Sequence, residues 1–505
     1  LYLITLAIST NNYGENIMKR RQFLRALGGT SAAVAGFSLD SSLKFGFHTA
    51  QAAHTSTFGK TVVVVYLRGG NDGINTVIPY GTDVDSQSSY YRLGFRDTIQ
   101  IAPPNLADPT AALDLNIAIP GNQPQSFAEG MGFHPAFAGG LYDLYKDGNL
   151  AIMPATHYSG ASRSHFSGQQ FTESAKADLL TDGVFNRYLV DSGVSTQGII
   201  RGVGLSSNLP HMLRGSQLVS AFSDLRGFEL GISNQNIEAE VLARLIDVYN
   251  QSPDANRSYS TLLHDFGSVT LKDLDIVAEL NDGSQPELDP DGYEVANGYG
   301  TSTFARQIAQ TALLIKAGRG LEVASLSRGG FDWHSNQGGG EATGNHYKSL
   351  KDVSDGIKSF FDDLSTVNPA TGSAYMDNVL VMICSEFGRT SYENGSFGVD
   401  HAHATPWMVL GSTDNVNGGV YLGHENTLNG NPGTTPITNW ANYQPLADAN
   451  MINGRYLNHT IDYRNLYGEI FANFLIANYG VGSPDMGTLL PDFTYSDATK
   501  IGFLI

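Results

Sequence analysis

The sequence predicts an α/β fold on a mostly parallel sheet, and three observations predict it. Short apolar, β-branched runs recur along the chain, separated by stretches with a helical apolar rhythm. Four of these runs stop at a Gly-containing loop that carries ionisable or hydroxyl side chains. With 505 residues, 41% of them apolar and 16% charged, the chain is long enough to bury a sheet on both faces.

The first segment reads as an address rather than as fold. Met18 is followed by Lys19, Arg20, Arg21, Gln22, Phe23 and Leu24, then by a mild apolar run over 26–39. Ala50, Gln51, Ala52 and Ala53 offer a small-residue cleavage site. Paired arginines before Phe-Leu read as a twin-arginine export signal, with residues 1–17 an upstream segment before Met18. The alternative is a basic amphipathic helix. The apolar run is too short and Gly-rich to span a membrane. Residues 54–505 are then expected to form one domain, with about 177–300 an insertion or cap.

The strands follow in order. Residues 61–67 (TVVVVYL) suit a strand buried on both faces, ending in Arg68-Gly69-Gly70-Asn71-Asp72-Gly73. This places Asp72 at the carboxyl end of a strand, where open α/β sheets put their ligands; the bland alternative is an Asp-Gly turn. Residues 81–130 read as an irregular excursion, and 133–146 as a helix. A strand at 150–155 runs into His157 and then Ser162-Arg163-Ser164-His165-Phe166. Here Ser162 or Ser164 either caps a helix over 166–176 or serves as a nucleophile, and Arg163 offers a fork for an anionic group.

Residues 237–249 and 259–280 look like amphipathic helices, and 282–297 like an acidic loop with only a loose likeness to a calcium loop. A helix over 304–317 precedes a strand at 321–326, which delivers Asp332 and His334. Two apart on extended chain, that pair faces one way and can share a cation. A helix over 345–364 carries His346. The run 379–384 ends at Glu386, Phe387 and Arg389; a loop then brings Asp400, His401 and His403 to a fifth strand at 407–410. Residues 411–445 read as a long loop, and 462–479 as a last helix packed on the sheet.

Composition narrows the function classes. Thirty basic and 49 acidic side chains give a net charge of −19. Without residues 1–53 there remain 25 basic and 47 acidic, near −22. Such a surface argues against non-specific binding to nucleic acid or anionic membrane, but not against an anionic substrate held through a metal. The single cysteine, Cys384, lies in an apolar run and reads as a small buried hydrophobe. Carboxylates and imidazoles gathered with a serine suit one or two divalent cations, such as zinc, manganese or calcium.

The stretches YLRGGNDGIN (66–75), RSHF (163–166), GFDWHSNQ (330–337), SEFGRT (385–390), ENGSFGVDH (393–401) and DYRNLY (462–467) resemble the exported bacterial family known as domain of unknown function 1501. That family is placed in the alkaline phosphatase superfamily. The resemblance implies a three-layer α/β/α sandwich with a mostly parallel central sheet and loop insertions. It implies metal ligands at Asp72, Asp332, His334, Glu386 and His403, a nucleophile at Ser164 (alternatively Ser162), and substrate contacts from Arg163 or Arg389. Phe387 stands where the superfamily has a histidine ligand. Either His401 or His165 substitutes, or one metal binds, or the site is catalytically inactive. The function expected is an exported metal-dependent hydrolase of phosphate or sulfate esters, acting on an anionic small molecule or glycan ester. The alternative is a non-catalytic binding or scaffold protein on the same fold.

Overall fold

A computed structural model describes residues 59–81, 89–121, 124–176, 182–192, 200–227, 260–280, 292–426, 432–475, 485–496 and 499–505, with residues 241, 244, 245, 288 and 290. The export signal and the helix expected over 237–249 lie outside the described residues, isolated positions of the latter apart. So does much of the acidic loop from 282.

A nine-stranded sheet forms the centre. Its strands are β1 (Thr61–Leu67), β2 (Leu150–His157), β3 (Gly202–Leu205), β4 (Ser220–Ala221), β5 (Val323–Arg328), β6 (Val379–Cys384), β7 (Thr405–Leu410), β8 (Gly419–Val420) and β9 (Ile461–Asp462). The order is β8-β2-β7-β6-β1-β5-β3-β4, and β9 also pairs with β2. Every pairing is parallel except those of β7, which runs against both β2 and β6. The β-branched runs fill the middle because strands buried on both faces need apolar side chains on both. All seven residues of β1 are buried, and so is Cys384 at the end of β6.

Alternation along β1 divides two cores. Val63 and Val65 face one side, with Leu141 and Leu144 of α2 (Leu141–Lys146), Ile276 of α5 (Ser260–Leu280), Ile308 and Leu313 of α6 (Thr303–Lys316) and Val353 and Phe360 of α7 (Asn345–Leu364). Val62, Val64 and Tyr66 face the other, with Phe185 and Tyr188 of α4 (Val184–Asp191) and Leu466 and Phe471 of α8 (Tyr463–Asn473). This is the three-layer arrangement expected. Two further helices lie near the site: α1 (Gly73–Thr76) and α3 (His165–Ser174). Part of the segment expected as an insertion instead supplies β3 and β4 to the sheet. Among the described residues no helix is long and apolar enough to cross a membrane.

Register fixes where the loops go. Leu67 lies level with Arg328, and Tyr66 with Cys384, so the chain leaves β1, β5 and β6 at one edge. Because β7 is antiparallel, its start at Thr405 lies at that edge too, opposite Thr156 near the end of β2. The connection from β6 to β7 therefore never leaves the edge, and it keeps residues 385–404 beside the other loops.

Asp72 anchors this edge structurally. Its carboxylate takes two hydrogen bonds from Arg96, at 2.7 and 3.0 Å, and one from Gln337 at 2.6 Å. Both members of the ion pair are fully or almost fully buried. Burial alone raises the Asp72 pKa, but the Arg96 charge and hydrogen bonds outweigh it and hold the carboxyl below its ordinary value. A depressed carboxyl contributes stability above its unfolded pKa and loses it as pH falls through the folded one. Asp72→Asn should therefore cost about 3 kcal/mol at neutral pH, since it leaves Arg96 without its counter-charge. In urea titrations the gap to the unchanged protein should close as pH falls below about 4. A gap that persists unchanged at lower pH would refute this account.

Candidate functional site

Four of the edge loops meet at Asp332. Its side chain is 47% exposed and sits among imidazoles. Oδ2 lies 3.4 Å from His165 Nε2, and Oδ1 lies 3.1 Å from His334 Nε2 and 3.3 Å from His401 Nε2. His334 Nε2 and His401 Nε2 are 3.0 Å apart. Among the described residues, His165, Asp332 and His401 form the group whose ligand atoms lie within 4.8 Å of one another.

Each imidazole is fixed through its other nitrogen. His165 Nδ1 is 2.8 Å from Glu386 Oε1, His334 Nδ1 is 3.0 Å from Asp400 Oδ1, and His401 Nδ1 is 2.9 Å from the Arg163 carbonyl. These three partners are acceptors, so in the neutral rings Nδ1 carries the proton and the Nε2 lone pair turns toward Asp332. His165 Nε2 is buried and has no hydrogen-bond partner among the described residues. Arg389 offsets part of the repulsion among these lone pairs and the carboxylate, at Asp332 Oδ1 and beside His334 Nε2, and a cation between His165 Nε2 and Asp332 Oδ2 would offset the rest. The donor set fits a divalent ion of the zinc or manganese type.

The sequence builds this locally in a few steps. Gly69 adopts φ +117°, and a Cβ there would lie 2.6 Å from the Asp332 amide nitrogen. Gly70 adopts φ +76°, and a Cβ there would lie 2.6 Å from the Phe387 ring. The β1 loop can therefore lie flat against both neighbours only with glycine at these positions. Phe387 packs behind two of the imidazoles, its ring centroid 4.9 Å from that of His165 and 5.0 Å from that of His401. The residue that cannot bind a metal thus sets the planes of two that can.

Electrostatics agree with the hydrogen bonds. The Glu386 hydrogen bond raises the His165 pKa against the effect of burial. Glu386 itself is pushed up by burial but is held below its ordinary value by His165, Gln169 and the Gly69 amide. Burial likewise raises Asp332, and Arg389 brings it below. His401 is lowered by burial and then by the Arg389 charge.

Of the residues expected at the site, the structure brings together His165, Asp332, His334 and His401. Four others lie elsewhere or act differently. Asp72 is occupied by Arg96 and Gln337. Glu386 is fully buried, and its Oε1 is taken by His165, Gly69 and Gln169, so it supports a ring rather than facing the cluster. His403 packs on His157 and His459, at centroid distances of 4.4 and 5.2 Å, and burial drives its pKa well below the ordinary range. Arg389 is 1% exposed, and its guanidinium is taken up by the Gly70 and Val399 carbonyls and by Asp332.

Ser164 occupies the N-cap position of α3 but makes no capping hydrogen bond, and it is exposed. Ser162 Oγ accepts from the Ser164 amide at 3.2 Å, as in a turn. Arg163 is exposed and stacks on the Tyr456 ring at 4.8 Å. His165 is one of the two substitutes expected for the ligand missing at Phe387, and the structure places it in the cluster together with the other, His401; for Asp400, the anchor of His334, the sequence signal is only its nearness to His401.

Residues 274–470 match the family described as protein of unknown function (DUF1501). That stretch contains Asp332, His334, Glu386, Arg389, Asp400 and His401, whereas Ser164 and His165 precede it. No curated protein matches the chain. Two solved structures are similar. One is a protein in the alkaline phosphatase superfamily from Vibrio parahaemolyticus, 10% identical, covering 86% of this chain and 80% of that one, with a TM-score of 0.26. The other is the lipoteichoic acid synthase LtaP from Listeria monocytogenes, 8% identical, covering 87% and 79%, with a TM-score of 0.24. Likeness at that level assigns no function to this chain.

If Glu386 fixes the His165 tautomer, Glu386→Gln should lower affinity for Mn²⁺ or Zn²⁺ by about 10–100-fold while leaving the circular dichroism spectrum unchanged. Calorimetric titration measures it, and an unaltered affinity would remove Glu386 from this role.

Proposed function

We propose that the chain is a metal-dependent hydrolase of phosphate or sulfate esters, with the ion held by His165, Asp332 and His401. The observation that supports this reading most is the shared orientation of the imidazoles: Nδ1 tied to Glu386, Asp400 and the Arg163 carbonyl, Nε2 facing Asp332. A divalent ion bound there supplies Lewis acidity toward an ester oxygen.

The remaining steps belong to the chain. Ser164, exposed and adjacent to His165, attacks the phosphorus or sulfur centre with its Oγ, and its proton passes to the Nε2 lone pair of His334 as the ester bond breaks. His334, tied to Asp400 and 47% exposed, gives that proton to the departing alkoxide, then takes one from the water that attacks the serine ester and returns it to the Ser164 oxygen as that ester breaks. Arg163 reaches substrate oxygens from the rim of the site. Glu386, Gln169 and Arg68 form a buried to half-buried chain behind His165, and Arg68 ends on Glu173 at 2.8 Å.

Protein purified without chelators should hydrolyse aryl phosphate or aryl sulfate esters, lose that activity on dialysis against a chelator and regain it with Zn²⁺ or Mn²⁺. Asp332→Ala should abolish both ion binding and turnover. Ser164→Ala should cut turnover by at least about 10³-fold with ion binding kept, and Ser162→Ala should cost far less. Ion binding without turnover of any ester in a broad panel would favour the binding-protein reading instead.

Export by the twin-arginine route is part of the same proposal, because that route carries proteins already folded around a cofactor. Changing Arg20 and Arg21 together to Lys should hold the protein inside the cell in a fractionation assay; unchanged export would count against the signal.

A further inference from the structure

We infer that the site takes a single divalent ion, because Arg389 is a permanent second cation within it. The inference rests on the metal reading above and adds a stoichiometry and a role to it. Arg389 is 1% exposed, yet every nitrogen of its guanidinium has an acceptor. Nε donates to the Gly70 carbonyl at 2.8 Å and Nη1 to the Val399 carbonyl at 3.1 Å. Nη2 donates to the Gly69 carbonyl and to Asp332 Oδ1, and lies 3.4 Å from the Phe331 carbonyl. A guanidinium held on so many sides cannot swing out, and it cannot be deprotonated.

Its charge stands where a second ion would have to bind. Asp332 divides its two oxygens: Oδ1 meets Arg389, while Oδ2 faces His165. Arg389 Nη1 also lies 3.5 Å from His334 Nε2, the imidazole nitrogen nearest to Oδ1. An ion coordinated by Oδ1 and His334 would be in near contact with a fixed positive charge in a partly desolvated pocket, where such repulsion is weakly screened. An ion among His165, His401 and the carboxylate has the guanidinium on one side only. The two positive charges then bracket Asp332, and together they offset the negative charge of an ester oxyanion. Arg389 does this without touching substrate, since its N–H groups are already committed.

Titration of the chelator-treated protein with Co²⁺, followed by calorimetry and by visible absorption, tests the inference. One ion per chain is expected in the unchanged protein. Arg389→Gln, which removes the charge beside Asp332, should bind Co²⁺ about tenfold or more tightly, or take up a second ion. A merely structural arginine predicts the reverse, a weakened site. Arg389→Lys, which keeps the charge, should bind one ion without that gain. Two ions in the unchanged protein would overturn the single-ion inference and leave the metal reading standing, whereas no bound ion would overturn both. Should Arg389→Gln fail to fold, the ion count of the unchanged protein decides the matter. An Arg389→Gln protein that folds and binds one ion no more tightly overturns the role given to Arg389.

Discussion

One guanidinium holds the working edge of this protein together. Arg389 follows β6, yet its hydrogen bonds end on Gly69 and Gly70 after β1, on Asp332 after β5, and on Val399 before β7. Taking a guanidinium out of water costs several kcal/mol, and only a nearly complete set of acceptors offsets it. The loops supply that set from their own carbonyls. The same carbonyls would lack donors if the arginine were absent, so loop shape and buried charge depend on each other. What results is a floor beneath Asp332 in which backbone carbonyls of two loops share one guanidinium.

The strands were legible because buried parallel strands need continuous apolar runs, and TVVVVYL or VLVMIC can do little else. Direction was not legible. An apolar run reads the same whichever way it is paired, so nothing in TPWMVL announced that β7 is antiparallel. The last two strands at one end of the sheet were missed for a related reason: Gly202–Leu205 and Ser220–Ala221 are short and rich in small residues, and they carry almost no periodic signal.

At the site, the sequence marks which residues are ionisable at strand ends, but not which partner each one takes. Asp332, His334 and His401 came together as their placement implied. Asp72 has the same local setting as Asp332, a carboxylate after a glycine turn, but Arg96, 24 residues on in an irregular segment, claims it. Glu386 and His403 are residue types as suited to the cluster as those that face it, but both are buried and taken up by other partners. His403 follows His401 by two residues, a spacing that extended chain would turn to one side, and it is packing against His157 and His459 that takes it away from the cluster. Partner choice is a tertiary fact, settled by chain crossings that local pattern does not encode.

Phe387 is the clearest case of a residue whose meaning reversed. Read by position, it removes a ligand. In space, its ring sits against His165 and His401 while Glu386, just before it, holds His165 from behind and Arg389, two residues after it, holds the loops. The run Glu386-Phe387-Gly388-Arg389 thus supplies a hydrogen-bond acceptor, an apolar backing plate and a fixed cation to one cluster, and contributes no donor to it. The groups that face one another come from two other loops, with His165 after β2 and Asp332 after β5, and from His401 further along the same β6–β7 connection; Asp332 is the most exposed of the three. Burial therefore increases from the donors to their supports. A site arranged this way keeps its ligand geometry through the supports and leaves its donors open to whatever binds at the mouth, so the support run is where a change of function would be felt first.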